Sequence, residues 1–342
     1  MSTMERHENS HCFPRFFGEK TDIFCIFAPQ NRYDMNQTLQ TWDAQDWTYR
    51  FAKAQKPYSH PVIKQLRQEV FFHTTQVVKD GAYVREDGQE MALPLSDHLA
   101  EGTCFYSRKL PRQEGAETYQ TNLEVVPRDC LAVARALVLE QHLEVCVLNM
   151  ASATMPGGGV LNGSGAQEEY LFRCSDYYRS LYQYIDFGHM FGVARAQDSY
   201  PMHKQFGGIF SPAVTVFRDT EARGYALLDE PFHVNCLAVA GVNHPTTVMR
   251  DGEEWIADSV LPTLYNKMRT LFRIAMAHRQ KTLVLGAWGC GAFGNPPRHV
   301  ARLFKEMLAE PEFEHAFQHI VFAIKGGPNG GNYTPFKEVI LG

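Results

Sequence analysis

The chain has 342 residues, 44% hydrophobic and 21% charged, with a formal net charge of −5. That composition supports a sizeable core and excludes a disordered or fibrous chain. The mildly acidic balance carries no basic tract, which excludes nonspecific nucleic-acid affinity through charge alone.

The N-terminal segment is polar and reads without a secretory leader. Phe24–Phe27 patterns as a short strand, and the stretch from Gln37 to Tyr49, with Trp42 and Trp47, as a helix or an irregular packed segment. A break near Pro57 and Pro61 divides an extension (1–60) from the main domain (61–342). Val62 to Lys79 is helical, and Ala82 to Arg85 followed by Asp87-Gly88 signals a hairpin. The polar stretch Pro111–Thr121 is a loop, Asn122–Val126 a strand, and Asp129 an N-cap for a helix from Cys130 to Glu140. Leu131 to Leu139 is the longest apolar helical run; it is too short to span a bilayer and is interrupted by Arg135.

Val145–Leu148 is a continuous apolar strand of the kind buried on both faces. A helix follows from Ala166 to Leu181, strands at Ile209–Phe217 and Phe232–Ala240, and a long helix from Trp255 to His278. Thr282–Leu285 is a strand, Pro296–Leu308 a helix with proline in its first turn, and His319–Ile324 a last strand. Alternation of this kind predicts an α/β layered sheet with its site at the carboxyl ends of the strands.

Eight cysteines (Cys12, Cys25, Cys104, Cys130, Cys146, Cys174, Cys236 and Cys290) form no CxxC pair. Several lie in apolar runs, which suits a reduced compartment, cytoplasmic or nuclear. No HExxH motif or zinc spacing appears, so neither a metal nor a cofactor is expected.

Two strand–loop–helix junctions carry the chemistry. One follows Leu148 and contains Gly157-Gly158-Gly159, leading to Gln167-Glu168-Glu169. The other follows Leu285 and contains Gly286, Gly289, Cys290, Gly291, Ala292, Phe293 and Gly294. Free N–H groups and the positive end of a helix dipole favour an anion at such places. Two loops of this kind suit the two phosphates of one ADP unit, with a carboxylate beside the attached sugar. The plainer readings are tight turns, where glycine supplies positive φ, and a pair of glutamates that merely favours a helix start.

Glu168 and Glu169 stand about 100° apart around a helix, so they face a ligand differently. The helix dipole favours the charged carboxylate, whereas a diphosphate and exclusion of water favour the protonated one. A general acid requires the second influence to win. The spacing Gly289-x-Gly291-x-x-Gly294 also matches a dinucleotide fingerprint and opens a rival reading, a nicotinamide-dependent oxidoreductase. It lies near the chain end and leaves the first loop and its carboxylates without a role.

The run from Leu148-Asn149 to Gly157-Gly158-Gly159, followed by Gln167-Glu168-Glu169, resembles the signature of poly(ADP-ribose) glycohydrolases of the bacterial or microbial type. Leu283 to Asn295 is similar to that family's second phosphate loop, and Leu227–Phe232 and Val321–Ile324 also match; the likeness runs from about residue 64 to residue 341. It implies a macrodomain, a three-layer α/β/α fold with a mixed central sheet, holding ADP-ribose in a cleft. By the same resemblance Glu169 is catalytic and Glu168 binds ribose hydroxyls. Gly157, Gly158, Gly159 and Val160, with Gly289, Cys290, Gly291, Ala292 and Phe293, wrap the diphosphate, and Phe293 also meets the distal ribose. Gln167 and Asn149 lie by the ligand, Asp129 holds the adenine amino group, and Tyr333 or Phe336 stacks on adenine.

The implied activity is hydrolysis of ribose glycosidic bonds in poly(ADP-ribose). The implied partner is an ADP-ribose polymer or an ADP-ribosylated macromolecule, with no membrane and no sequence-specific nucleic acid, and the protein is expected to be a monomer. Two alternatives stay open: a mono-ADP-ribosyl hydrolase acting on protein or nucleic acid, and a macrodomain that binds without cutting. The segment Phe187–Phe206 is a candidate lid or simply packed surface.

Overall fold

The computed structural model describes residues 39–113, 118–326 and 331–342. Its elements run α1 (Ala44–Ala54), α2 (His60–Asp80), β1 (Ala82–Val84), β2 (Glu90–Ala92), β3 (Cys104–Tyr106), β4 (Asn122–Val126), α3 (Cys130–Leu139) and β5 (Val145–Asn149). Next come α4 (Gln167–Cys174), α5 (Tyr178–Leu181), β6 (Gly208–Arg218), β7 (Leu227–Ala238), β8 (Thr247–Arg250) and β9 (Glu253–Ile256). The last are α6 (Leu261–Ala277), β10 (Thr282–Leu285), α7 (Pro297–Leu308), β11 (His319–Ala323) and α8 (Tyr333–Leu341). The strand expected at Phe24–Phe27 lies outside the described residues.

Seven strands form one sheet in the order β3-β6-β7-β5-β10-β11-β4. From β7 to β4 neighbouring strands are parallel, and β6 pairs antiparallel with both β7 and β3. The sheet is mixed, and helices cover both faces. Period-two alternation divides the apolar side chains between two cores. On β5, Val145 and Val147 join the core under α2, α3 and α4, while Cys146 and Leu148 join the core under α6, α7 and α8. Burial on both faces explains why β5, β10 and β11 read as unbroken apolar runs.

The packed unit begins at Leu39, ahead of the break expected near residue 60. Trp47 of α1 is fully buried, donates from its indole N–H to the Leu66 carbonyl at 3.0 Å, and stacks on Phe51. An aromatic at that position fills a gap between α2 and the turn carrying Tyr225, which it meets edge-on at 5.1 Å.

Two expected helices are shorter than their apolar patterns. The helix predicted over Ala166–Leu181 stops at Cys174, where Ser175 is extended and bridges to Val216. Asp176 causes the break: its N–H donates to the Thr215 carbonyl at 3.1 Å, and its Oδ1 accepts from the Thr215 N–H at 2.8 Å. The chain leaves the helix to pair with β6. The helix predicted over Trp255–His278 begins only at Leu261, and residues up to Ile256 form the β8–β9 hairpin. Asp251 and Gly252, both at positive φ, make its turn, an Asp-Gly signal that the helical periodicity around it obscures.

Candidate active site in the strand-end cleft

A cleft of about 330 Å³ opens at the carboxyl ends of the parallel strands, within the size range of small-molecule sites. Residues after β4, β5, β7, β10 and β11 line it, as do residues of α4. Asp129, Gln167, Gly289, Gly291, Ala292 and Phe293 all face this cleft. Glu168, Glu169, Asn149 and the Gly157–Gly159 loop sit beside it, around the start of α4. The Cys290 thiol turns to the Trp288 carbonyl, at 3.6 Å. Val160 starts a short 3-10 turn with its side chain in the core, which leaves only its backbone for a ligand.

The three residues that open α4 each reach a different piece of backbone. Gln167 brackets the end of β5: its Oε1 accepts from Met150 N–H at 2.9 Å and its Nε2 donates to the Leu148 carbonyl at 2.8 Å. Its amide therefore shapes the cleft as well as lining it. Glu168 is buried. Its Oε2 accepts from Ser152 N–H at 2.7 Å, and its Oε1 accepts from Gly157 N–H at 3.0 Å and from Asn149 Nδ2 at 3.3 Å. Burial pushes the Glu168 carboxyl up to about 8, against the opposing pull of those donors and with help from the nearby charge of Glu169.

Glu169 accepts from Gly159 N–H at 2.8 Å through Oε1, while its Oε2 is buried without a protein partner. Asn149 is similar: its Nδ2 is engaged, and its Oδ1 is a buried acceptor without one. Buried polar atoms are ordinarily paired, and orphans of this kind mark a place where a ligand or water supplies the donor. The backbone can approach the carboxylates because Gly158 sits at φ +54; a Cβ there would lie 2.5 Å from Glu169 Oε1.

A closed ring of hydrogen bonds fixes that geometry. Buried Arg173, one helical turn beyond Glu169, donates from Nη1 to the Ser164 carbonyl at 2.7 Å. The Ser164 N–H donates to the Gly159 carbonyl at 3.1 Å, and the Gly159 N–H returns to Glu169. The glycine loop is thus tied at both ends to one face of α4. Arg173 also donates from Nε to the Tyr225 hydroxyl, which donates to Glu221, the partner of Arg67.

After the end of β4, Asp129 caps α3 by accepting from the N–H groups of Leu131 and Ala132, and its Oδ1 also takes the Tyr170 hydroxyl at 2.7 Å. Burial raises its carboxyl, against those three bonds. The second glycine loop is held by Asn295, whose Nδ2 donates to the carbonyls of Val242 at 2.7 Å, Gly289 at 2.9 Å and Phe293 at 3.3 Å. Phe336 is fully buried against Phe304 and Phe322, and Tyr333 is buried in the same core. Neither ring lines the cleft, contrary to the stacking expected of them, because the apolar face of α8 is needed to cover α7 and β4. Met150, Gly241, Lys325 and Asn332 also line the cleft. The last three carry no motif, and only the sheet order brings them together.

The family model for the microbial-type poly(ADP-ribose) glycohydrolase catalytic domain matches residues 72–219. The solved poly(ADP-ribose) glycohydrolase of Thermomonospora curvata, bound to the inhibitor ADP-HPD, is 30% identical, with 80% of this chain and 98% of that one covered, at a TM-score of 0.61. The chain belongs to the microbial-type poly(ADP-ribose) glycohydrolase family. The Deinococcus radiodurans poly(ADP-ribose) glycohydrolase in complex with ADP-ribose is 31% identical, with 73% of this chain and 99% of that one covered, at a TM-score of 0.55. No curated protein matches the chain. Membership makes this chain a glycohydrolase of macrodomain-like fold. Gly289-x-Gly291-x-x-Gly294 is then a loop of that fold and not the fingerprint of an oxidoreductase. No described helix is long and apolar enough to cross a membrane.

Proposed function

We propose that this chain hydrolyses the ribose–ribose glycosidic bond of poly(ADP-ribose) and releases ADP-ribose, with Glu169 as the acid and base. The observation that carries the reading is the unpartnered Oε2 of Glu169, buried beside a glycine loop and a nucleotide-sized cleft. In this scheme the side-chain-free backbone of Gly157–Gly159 lets the diphosphate approach, the N–H groups of Gly289, Gly291, Ala292 and Phe293 wrap it, and Phe293 flanks the distal ribose. Asp129 takes the adenine amino group through the acceptor capacity left by its capping bonds. Asn149 Oδ1 and the remaining lone pairs of Glu168 accept from ribose hydroxyls.

Protonated Glu169 donates to the oxygen leaving the anomeric carbon. Positive charge builds on the ribose ring as that bond breaks, and the adjacent diphosphate stabilises it. The resulting carboxylate takes a proton from water, which attacks the same carbon. The substrate's own phosphate thus supplies the second negative charge that other glycosidases provide with a second carboxylate.

Glu169→Gln keeps the shape and removes the proton. Release of ADP-ribose from polymer, followed by mass, should fall roughly 10²- to 10⁴-fold while ADP-ribose still binds; near-normal release would defeat the assignment. Parallel digestion of mono-ADP-ribosylated protein and nucleic acid separates this reading from a mono-ADP-ribosyl hydrolase. Binding with no turnover on any substrate would leave a reader module.

A further inference from the structure

Lys267 of α6 is 5% exposed, yet among the described residues no carboxylate reaches its ammonium. Among the described residues its one hydrogen-bond acceptor is the Ala240 carbonyl, at 2.8 Å. An unpaired buried ammonium is expensive, so its position calls for a reason. Ala240 follows the end of β7, and the next residue, Gly241, lines the cleft and would place a Cβ 3.3 Å from the Gly289 Cα.

In the strip from Val239 to Val242, side chains draw off three of the four carbonyls. Trp288 Nε1 takes Val239 at 2.9 Å, Lys267 takes Ala240, and Asn295 takes Val242. Across a planar trans peptide the C=O and N–H point opposite ways. By holding the Ala240 carbonyl on the α6 side, Lys267 turns the Gly241 N–H the other way, and among the described residues that N–H donates to no protein group. The result is a donor beside the second glycine loop with a positive charge behind it, which is the chemistry of a phosphate site.

We propose that Lys267 is a positioning residue of the diphosphate site, orienting the Ala240–Gly241 peptide as a third backbone element of the cradle and supplying the charge that draws the anion. This rests on the ADP-ribose reading above. Burial alone lowers the Lys267 ammonium to about 8, with no charged group of α6, β6, β7 or the glycine loop contributing. A bound diphosphate favours the charged form and restores it, so at pH 8 binding should draw a proton onto Lys267. Glu168, pushed up to about 8 as well, also titrates in this range, and wild type and variants share that contribution.

The test is calorimetric titration of the full chain with ADP-ribose at pH 8, in buffers of different ionisation enthalpy. Wild type should take up about half a proton more than Lys267→Met. Lys267→Met should bind roughly 10- to 100-fold more weakly. Lys267→Arg, charged throughout, should restore much of the affinity while showing the smaller uptake, and it serves alone if the methionine variant does not fold. Equal uptake in wild type and Lys267→Arg, or affinity in Lys267→Met within two-fold of wild type, would overturn the role of Lys267 and leave the glycohydrolase reading standing. No binding of ADP-ribose by wild type would overturn both.

Discussion

Arg173 illustrates how far a residue can act from the reacting atoms. Its guanidinium reaches Glu169 only through the Ser164 and Gly159 backbone, and it already serves Tyr225. Arg173→Met should loosen the glycine loop and lower kcat by about 10-fold or more, since misplacement of about 1 Å is enough for a large loss. KM should change less, and Arg173→Lys should recover part of the rate. Equal losses in kcat and in thermal stability, with no recovery by lysine, would make Arg173 a purely structural residue. Gly158→Ala is a harsher change. A methyl group 2.5 Å from Glu169 Oε1 at positive φ should abolish turnover, and the check is activity of the folded variant. The Gln-Glu-Glu run and both glycine loops were legible from sequence because their chemistry is local. Asn295, Arg173 and Gly241 were not, because their contacts join segments distant in the chain.

Asp176 sets the length of α4, and its pH behaviour follows from its position. It is buried, bonded to Thr215 and paired with Arg179 at 3.0 Å. Burial nevertheless pushes its carboxyl up to about 6, with Arg179 and Thr215 opposing. The folded carboxyl therefore binds its proton more tightly than the unfolded one. Its contribution to stability is fully present below the usual aspartate range near 3.8 and is lost as pH rises through about 6. The urea midpoint of wild type should accordingly fall relative to Asp176→Asn between pH 4 and pH 6.5; a difference between the two that stays constant with pH would contradict this. Element boundaries were the least legible feature for the same reason. Apolar periodicity continued past Cys174, and tertiary pairing with β6 ended the helix. The β8–β9 hairpin was missed because the sequence before Leu261 still carries spaced apolar residues, although Asp251-Gly252 marked the turn.

At the scale of the molecule, the two-sided sheet was legible in β5, β10 and β11, whose short apolar runs, alternating with helical patterns, fit strands buried on both faces. The edge strand β3 and the helix α8 escaped notice because a three-residue strand and a short helix have too few residues to show a period. The role of α1 was also hidden, since Trp47 matters through what it touches and not through any local pattern. Trp47→Ala should cost about 3–5 kcal/mol of stability, read from urea denaturation. A loss under 1 kcal/mol would mean that α1 is an appendage and not part of the fold.

The side chain of Asn295 has one further consequence. With three carbonyls gathered on its single amide, the loop beneath an incoming pyrophosphate has no slack to take up on arrival. Its shape was settled when the polypeptide folded and need not be remade at each turnover, so capture and escape of the nucleotide should proceed without that turn opening and closing.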